Sequence, residues 1–202
     1  ESFLLEHQLG GQVQLQGNQA TFSLIGKAAH GSTPSKGVNA ATFLAKYLHR
    51  FKFDQAGAES FLHLLADHLH LDFEGVNLGL AHRDPVMQEL TMNVGLVNYQ
   101  DDKGGSVVAN FRYPKGTDPE KMAAQTAQRL AGHDLSVEWG EFKEPHYVSV
   151  DDPMVKELLA VYEEQTGLEG HEMTIGGGTY GRLMPRGVAY GALFPDSIDT
   201  MH

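Results

Sequence analysis

Four places in this 202-residue chain hold side chains whose type and spacing could do chemistry. His30 stands among Ala28, Ala29, Gly31 and Ser32, small neighbours that leave an imidazole room to project and a ligand room to approach. Pro34 and Gly37 turn the chain behind it. The residue reads either as a loop histidine in water or as a functional one. Arg112, in Asn110-Phe111-Arg112-Tyr113-Pro114, ends an apolar strand. Its guanidinium can lie flat on the neighbouring aromatic rings, or offer a two-pronged donor to a carboxylate. His63, Asp67 and His70, spaced four and three apart, share one face of a helix and could form a zinc set. The same helix needs Leu62, Leu65 and Leu69 for its core, and polar residues must fill its other side.

Gly176-Gly177-Gly178-Thr179-Tyr180-Gly181 has the G-x-G-x-x-G spacing of dinucleotide-binding turns, and Asp199 follows 18 residues later. A nicotinamide-dependent oxidoreductase is the reading this motif alone supports. Only a turn or two of helix fits before Pro185 and Gly187, too short a crossover for a βαβ unit. A turn whose N–H groups hold an anionic substrate group fits better, as does a tight structural turn. His202 on its own carries no signal.

The elements that must position these residues follow from periodicity. Residues 1–9 read as a short amphipathic helix stopped by Gly10-Gly11. Alternation over 13–16 and 20–28 predicts a hairpin turned at Gly17-Asn18, and His30 leaves it in a loop. Asn39 can cap a helix over 40–51, and a second helix spans 58–71. A loop covers 75–84 and a short turn or helix 85–89. Residues 91–99 and 106–113 alternate as paired strands. Asp118 and Pro119 start a helix to about residue 130, and 135–142 reads as a strand. After a shift in composition, a helix covers 154–165, ended by Gly167, and short strands are expected at 172–175 and 188–194. The expected architecture is an α+β domain over 1–148, an antiparallel sheet with helices on one face. Part of an α/β domain over 149–202 follows.

Bulk properties narrow the classes. A formal charge of −11 disfavours general attraction to nucleic acid. The absence of cysteine excludes disulfides, thiolate metal sites and a cysteine nucleophile, and gives weak support to a cytoplasmic location. No apolar run approaches the roughly 18 residues of a membrane span. The chain opens on Glu1 and stops at His202, so it is expected to be a fragment of a longer protein.

Three segments, in order, carry a family resemblance. Gly26-Lys27-Ala28-Ala29-His30-Gly31-Ser32, with Pro34, Gly37, Asn39 and Ala40, resembles the lid-domain signature of the aminoacylase/carboxypeptidase G zinc metallopeptidases. The Arg112 strand is similar to the one that bears their substrate-binding arginine. The stretch from Ile175 to Arg182, then 187–194 and Asp199-Thr200-Met201-His202, resembles their substrate loop and metal-ligand histidine. The glycine triplet followed by Thr-Tyr-Gly-Arg resembles the PepV-type bacterial dipeptidases within that family.

The resemblance implies a two-domain enzyme: a catalytic α/β domain with two zinc ions, and a lid that closes over a dipeptide. A glutamate activates a metal-bound water that attacks the scissile carbonyl. His30 would donate to the developing oxyanion. Arg112 would hold the C-terminal carboxylate, Gly176, Gly177, Gly178 and Thr179 would position the substrate, and His202 would bind one Zn2+. The family's remaining metal ligands lie before the lid and have no counterpart here. Glu163-Glu164, the only Glu-Glu pair, falls in the wrong place to be the catalytic one. The 202 residues alone are therefore expected to be inactive and to bind active-site zinc weakly. The intact enzyme is expected to be a monomer. An isolated lid acting as a dimerisation or binding module is the alternative, and self-association of the fragment is possible.

Overall fold

The structure, a computed structural model, describes residues 2–191 and residue 194. It falls into two compact units, Glu1–Lys143 and Glu144–His202.

In the first unit α1 (Ser2–Glu6) precedes a hairpin of β1 (Gly10–Gln16) and β2 (Gln19–Ile25). After the His30 loop come α2 (Ala40–Leu48) and α3 (Ala56–His63), the latter running into a π-helical stretch, Leu64–Leu69. Two short strands, β3 (Arg83–Asp84) and β4 (Gln88–Glu89), lead to the long pair β5 (Thr91–Gln100) and β6 (Gly104–Arg112), and then to α4 (Pro119–Arg129). This is an α+β mixture. The expected single antiparallel sheet is instead three separate two-stranded ones, β1–β2, β3–β4 and β5–β6, all antiparallel.

Side-chain chemistry explains the local choices. Asn39 caps α2 by accepting from the Thr42 N–H, and Asp118 caps α4 by accepting from Glu120 and Lys121, with Pro119 at the first position. Residues 85–89 turn back as a hairpin because Asp84, nearly buried, accepts from the N–H groups of Val86 and Met87 at 2.8 Å each. Those hydrogen bonds, Met87's foremost, hold its carboxyl below the usual carboxylate range against the opposing effect of burial, helped by Lys115 and His82.

The core gathers Ala45 from α2, Phe61, Leu65 and Leu69 from the α3 segment, Leu78 and Leu80 from the following loop, Leu90 and Met92 at β5, and Met122 and Leu130 at α4. Leu90 and Met92 are 0% and 1% exposed, and burial on that scale contributes about 1.5–3 kcal/mol per side chain. A ring cluster docks α1 and β2 onto α2: Phe3 lies 5.1 Å and Phe22 5.5 Å from Tyr47, centroid to centroid.

One irregularity sets the faces of the long hairpin. The register slips between Val94 and Leu96. Met92 and Val94 before the slip, and Val97 and Tyr99 after it, all pack on the core although their parity differs. The opposite face carries Thr91 and Asn93 of β5, and Asn110 and Arg112 of β6 directly across from them.

Residues 135–142 form no ladder among the described residues, contrary to the strand expectation. Rings hold this segment against β6 instead. Trp139 lies 5.8 Å from Phe111, Phe142 stacks on Tyr113 at 4.6 Å, and the Lys143 N–H donates to the Tyr113 hydroxyl at 2.9 Å.

Two core-side histidines give the first unit a pH dependence. Burial pushes His68 and His70 below the usual histidine range, aided by the charge of His133 for His68 and of Lys46 and His7 for His70. His70 donates from Nδ1 to the buried Thr42 hydroxyl at 3.2 Å, whose own proton goes to the Asn39 carbonyl. A histidine with a depressed folded pKa takes up its proton more readily when unfolded. Its contribution to stability is full above about pH 6.5 and declines as pH falls below that value. Urea unfolding midpoints should therefore drop from about pH 7.5 to about pH 5.5. The double variant His68→Gln/His70→Gln should flatten that slope, and an unchanged slope would contradict the assignment.

In the second unit, α5 (Pro153–Thr166) is capped by Asp152 and closed by Gly167 in the left-handed conformation at φ 70°. Arg186 grips Asp152 with two bonds, Nε at 2.9 Å and Nη2 at 2.6 Å, and holds its carboxyl below the ordinary range. Neither 172–175 nor the described part of 188–194 pairs as a strand; 171–178 are exposed and find no ladder partner among the described residues. The α/β expectation for this part thus has no sheet in the described residues.

Candidate functional site

The loop that carries His30 is closed at its base. Lys27 and Val38 exchange backbone hydrogen bonds at 3.0 and 2.9 Å. Two glycines permit that pinch: a Cβ on Gly26 would collide with the Val38 carbonyl oxygen, and one on Gly37 would sit 2.7 Å from that of Lys27. Inside the loop, the Thr33 N–H donates to the His30 carbonyl at 2.8 Å, and Pro34–Lys36 make one 3-10 turn.

Asn39 ties this loop to the long hairpin. Besides capping α2, its Nδ2 donates to the Val94 carbonyl at 2.9 Å. The tie brings Gly31 to the polar face of β5–β6, where a Cβ on Gly31 would lie 3.7 Å from Asn93 Nδ2 and 3.8 Å from Arg112 Nη2. His30 and Arg112, 82 residues apart in sequence, thus belong to one region.

The ring state of His30 follows from its neighbours. The Ser32 N–H lies 3.3 Å from His30 Nδ1, and the Ser32 hydroxyl 2.7 Å from the same atom. A backbone N–H can only donate, so Nδ1 accepts, and the neutral ring carries its proton on Nε2. His30 is partly exposed and can present that Nε2–H as a donor.

Asn93, Asn39 and Ser32 were not anticipated as contributors. Asn93 was legible as a polar residue on an alternating strand. Its pairing opposite Asn110 and its closeness to Arg112 depend on a register that alternation does not give.

The glycine segment Gly176–Thr179 is exposed up to Thr179, which is partly covered and precedes a 3-10 turn, Tyr180–Leu183. Four residues of 3-10 turn replace the long α-helix that a dinucleotide fingerprint requires. Arg182 lies over Gly178, with Nη1 2.6 Å from where a Cβ would stand. Asp199 and His202 lie outside the described residues.

The predicted helix face His63–Asp67–His70 is divided. The π-helical stretch ends before His70, which is extended and turns toward Thr42 and Phe43. His63 and Asp67 stay together and are joined by His49.

An α+β first unit thus brings the His30 loop close to Arg112. No family model matches the chain. Relatives cover all of it. A "Beta-Ala-Xaa dipeptidase" of Lactobacillus delbrueckii subsp. lactis is 46% identical over 203 residues. Proteins of Staphylococcus haemolyticus and Staphylococcus saprophyticus, each bearing the name "Putative dipeptidase", are 35% and 36% identical over 202 residues. The chain spans 43% of the length of each of these relatives. It is similar along its whole length to part of each of these dipeptidases, as a fragment of a PepV-type dipeptidase would be.

Proposed function

We propose that these residues are the lid and part of the catalytic domain of a dipeptidase that cleaves dipeptides with a free C-terminal carboxylate. The first unit acts as the lid, and the second belongs to the catalytic domain. The observation that carries this reading is the approach of the His30 loop to Arg112 on one polar face, in a chain 46% identical to a Beta-Ala-Xaa dipeptidase.

Arg112 takes the substrate carboxylate as a bidentate partner. His30, with its proton held on Nε2 by the Ser32 contacts, donates to the scissile carbonyl oxygen as negative charge builds there. Asn93 supplies a second polar contact beside the carboxylate. Gly176, Gly177, Gly178 and Thr179 position the substrate, a role assigned on their motif.

Zinc is the metal the resemblance implies, with His202 as one ligand. The described residues do not fit an active-site zinc pair. The one three-donor cluster among them lies at the end of α2 remote from Asn39, and no such set surrounds His30 and Arg112. No reaction step is therefore drawn through a metal, and the 202 residues alone are assigned no peptidase activity.

Paired assays test the reading. A longer protein that contains this chain should hydrolyse dipeptides and should lose most of that activity when the C-terminal carboxylate is amidated, because Arg112 is then left unpaired. The 202-residue chain should hydrolyse neither. Equal rates on free and amidated dipeptides would defeat the carboxylate assignment.

A further inference from the structure

His49, His63 and Asp67 meet away from the candidate site. His49 follows the last residue of α2, His63 is the last of α3, and Asp67 lies one turn on in the π-helical stretch. His49 Nε2 is 3.0 Å from His63 Nδ1, His63 Nδ1 is 2.9 Å from Asp67 Oδ2, and His49 Nε2 is 3.5 Å from that same oxygen. Three atoms with lone pairs thus face one another in a triangle.

Protons do not satisfy this triangle. A carboxylate only accepts, and each neutral imidazole nitrogen either donates or accepts. If one histidine presents N–H here, one side of the triangle sets acceptor against acceptor. If both do, donor faces donor across 3.0 Å. A single cation at the centre satisfies all three atoms. Tetrahedral zinc with bonds of about 2.05 Å separates its ligand atoms by about 3.3 Å, and the three observed separations bracket that value.

We propose that His49, His63 and Asp67 form a binding site for a zinc-class divalent cation. Two imidazoles and one carboxylate suit zinc and its late first-row neighbours. The side chains of His49, His63 and Asp67 are 28%, 48% and 39% exposed, so water completes the coordination. Lys46 supports the carboxylate from behind. Its Nζ lies 3.6 Å from Asp67 Oδ1 and donates to the Ala66 carbonyl at 3.4 Å, which leaves Oδ2 for the metal. The π-helical turn that carries Asp67 is a feature found often at functional sites. A bound ion ties the end of α2 to the α3 junction. This site is independent of the dipeptidase reading and of His202.

Zn2+ titrated into the full 202-residue chain against a chromophoric chelator, with Co2+ as a visible-absorption probe, tests the site. One equivalent should bind, and its affinity should fall by more than about tenfold in each of His49→Gln, His63→Gln and Asp67→Asn. His133→Gln and His171→Gln should leave it unchanged. Equal affinity in His63→Gln, Asp67→Asn and the unaltered chain would overturn the proposal and leave the cluster a hydrogen-bonded network. A second measurement uses the unaltered chain alone and does not depend on variants that fold. Zn2+ should shift the ring 15N resonances of His49 Nε2 and His63 Nδ1, and unmoved resonances would equally overturn it.

Discussion

Arg112→Ala should raise KM for a dipeptide by roughly 30- to 150-fold in the proposed parent dipeptidase, with a much smaller change in kcat. A charge-assisted hydrogen-bonding partner contributes about 2–3 kcal/mol when its loss leaves an ionised group unpaired. Under the proposed function the carboxylate partner of Arg112 is at the substrate's end, away from the bond that breaks, so the contact would be alike in ground and transition states and appear in KM. Arg112→Lys should fall between the two, because an ammonium keeps the charge and loses the two-pronged geometry. The neighbourhood makes the comparison clean. Arg112 lies on the polar face of the hairpin, opposite Thr91 and away from the Met92 face that packs the core, so truncation opens no core cavity. Steady-state kinetics that leave KM unchanged in Arg112→Ala would remove the residue from the substrate site.

His30→Ala should act in the other kinetic constant, lowering kcat by roughly 100- to 1000-fold while KM moves little. Removal of one oxyanion donor typically has that effect, since the bond strengthens only as charge develops. The loop should survive the change. Its closure depends on the Lys27–Val38 backbone pair and on Asn39, none of which involves the imidazole. His30→Gln, which can still offer an N–H, should recover part of the loss. A kcat unchanged in His30→Ala would mean that the Nε2–H points at no reacting atom.

The parts of this molecule set by local chemistry were legible before its coordinates. The caps Asn39 and Asp118, the helix end at Gly167 and the hairpin turned at Gly17-Asn18 stand where the residues predict them. Each needs only a side chain and its own nearest backbone. Failures came where the outcome depends on a distant partner. Leu135, Val137 and Trp139 alternate as a strand would, but alternation cannot say whether a ladder partner is available, and ring stacking on Phe111 and Tyr113 took its place. The helix at 58–71 kept its apolar face and changed its winding, which a count of 3.6 residues per turn does not foresee, and His70 left the predicted metal face as a result. His49 joined that face from another helix, a contact no spacing rule along one helix can reach. For the candidate site, His30 and Arg112 were each visible as residues. Their closeness across 82 positions came from the Asn39 tie, a side chain that reads in sequence only as a cap.

The slip between Val94 and Leu96 bears on how this hairpin tolerates insertion and deletion. Side chains along a strand alternate strictly between faces, so one unpaired residue inverts everything beyond it. Removing Gly95 would restore an unbroken alternation in which Met92, Val94, Val97 and Tyr99 still share one face, so the deletion should remove the local bend and leave the core facing intact. Removing Asn98 instead would carry Tyr99 to the opposite face. The bulge at Gly95 thus absorbs one spare residue and keeps the two faces of the hairpin in step.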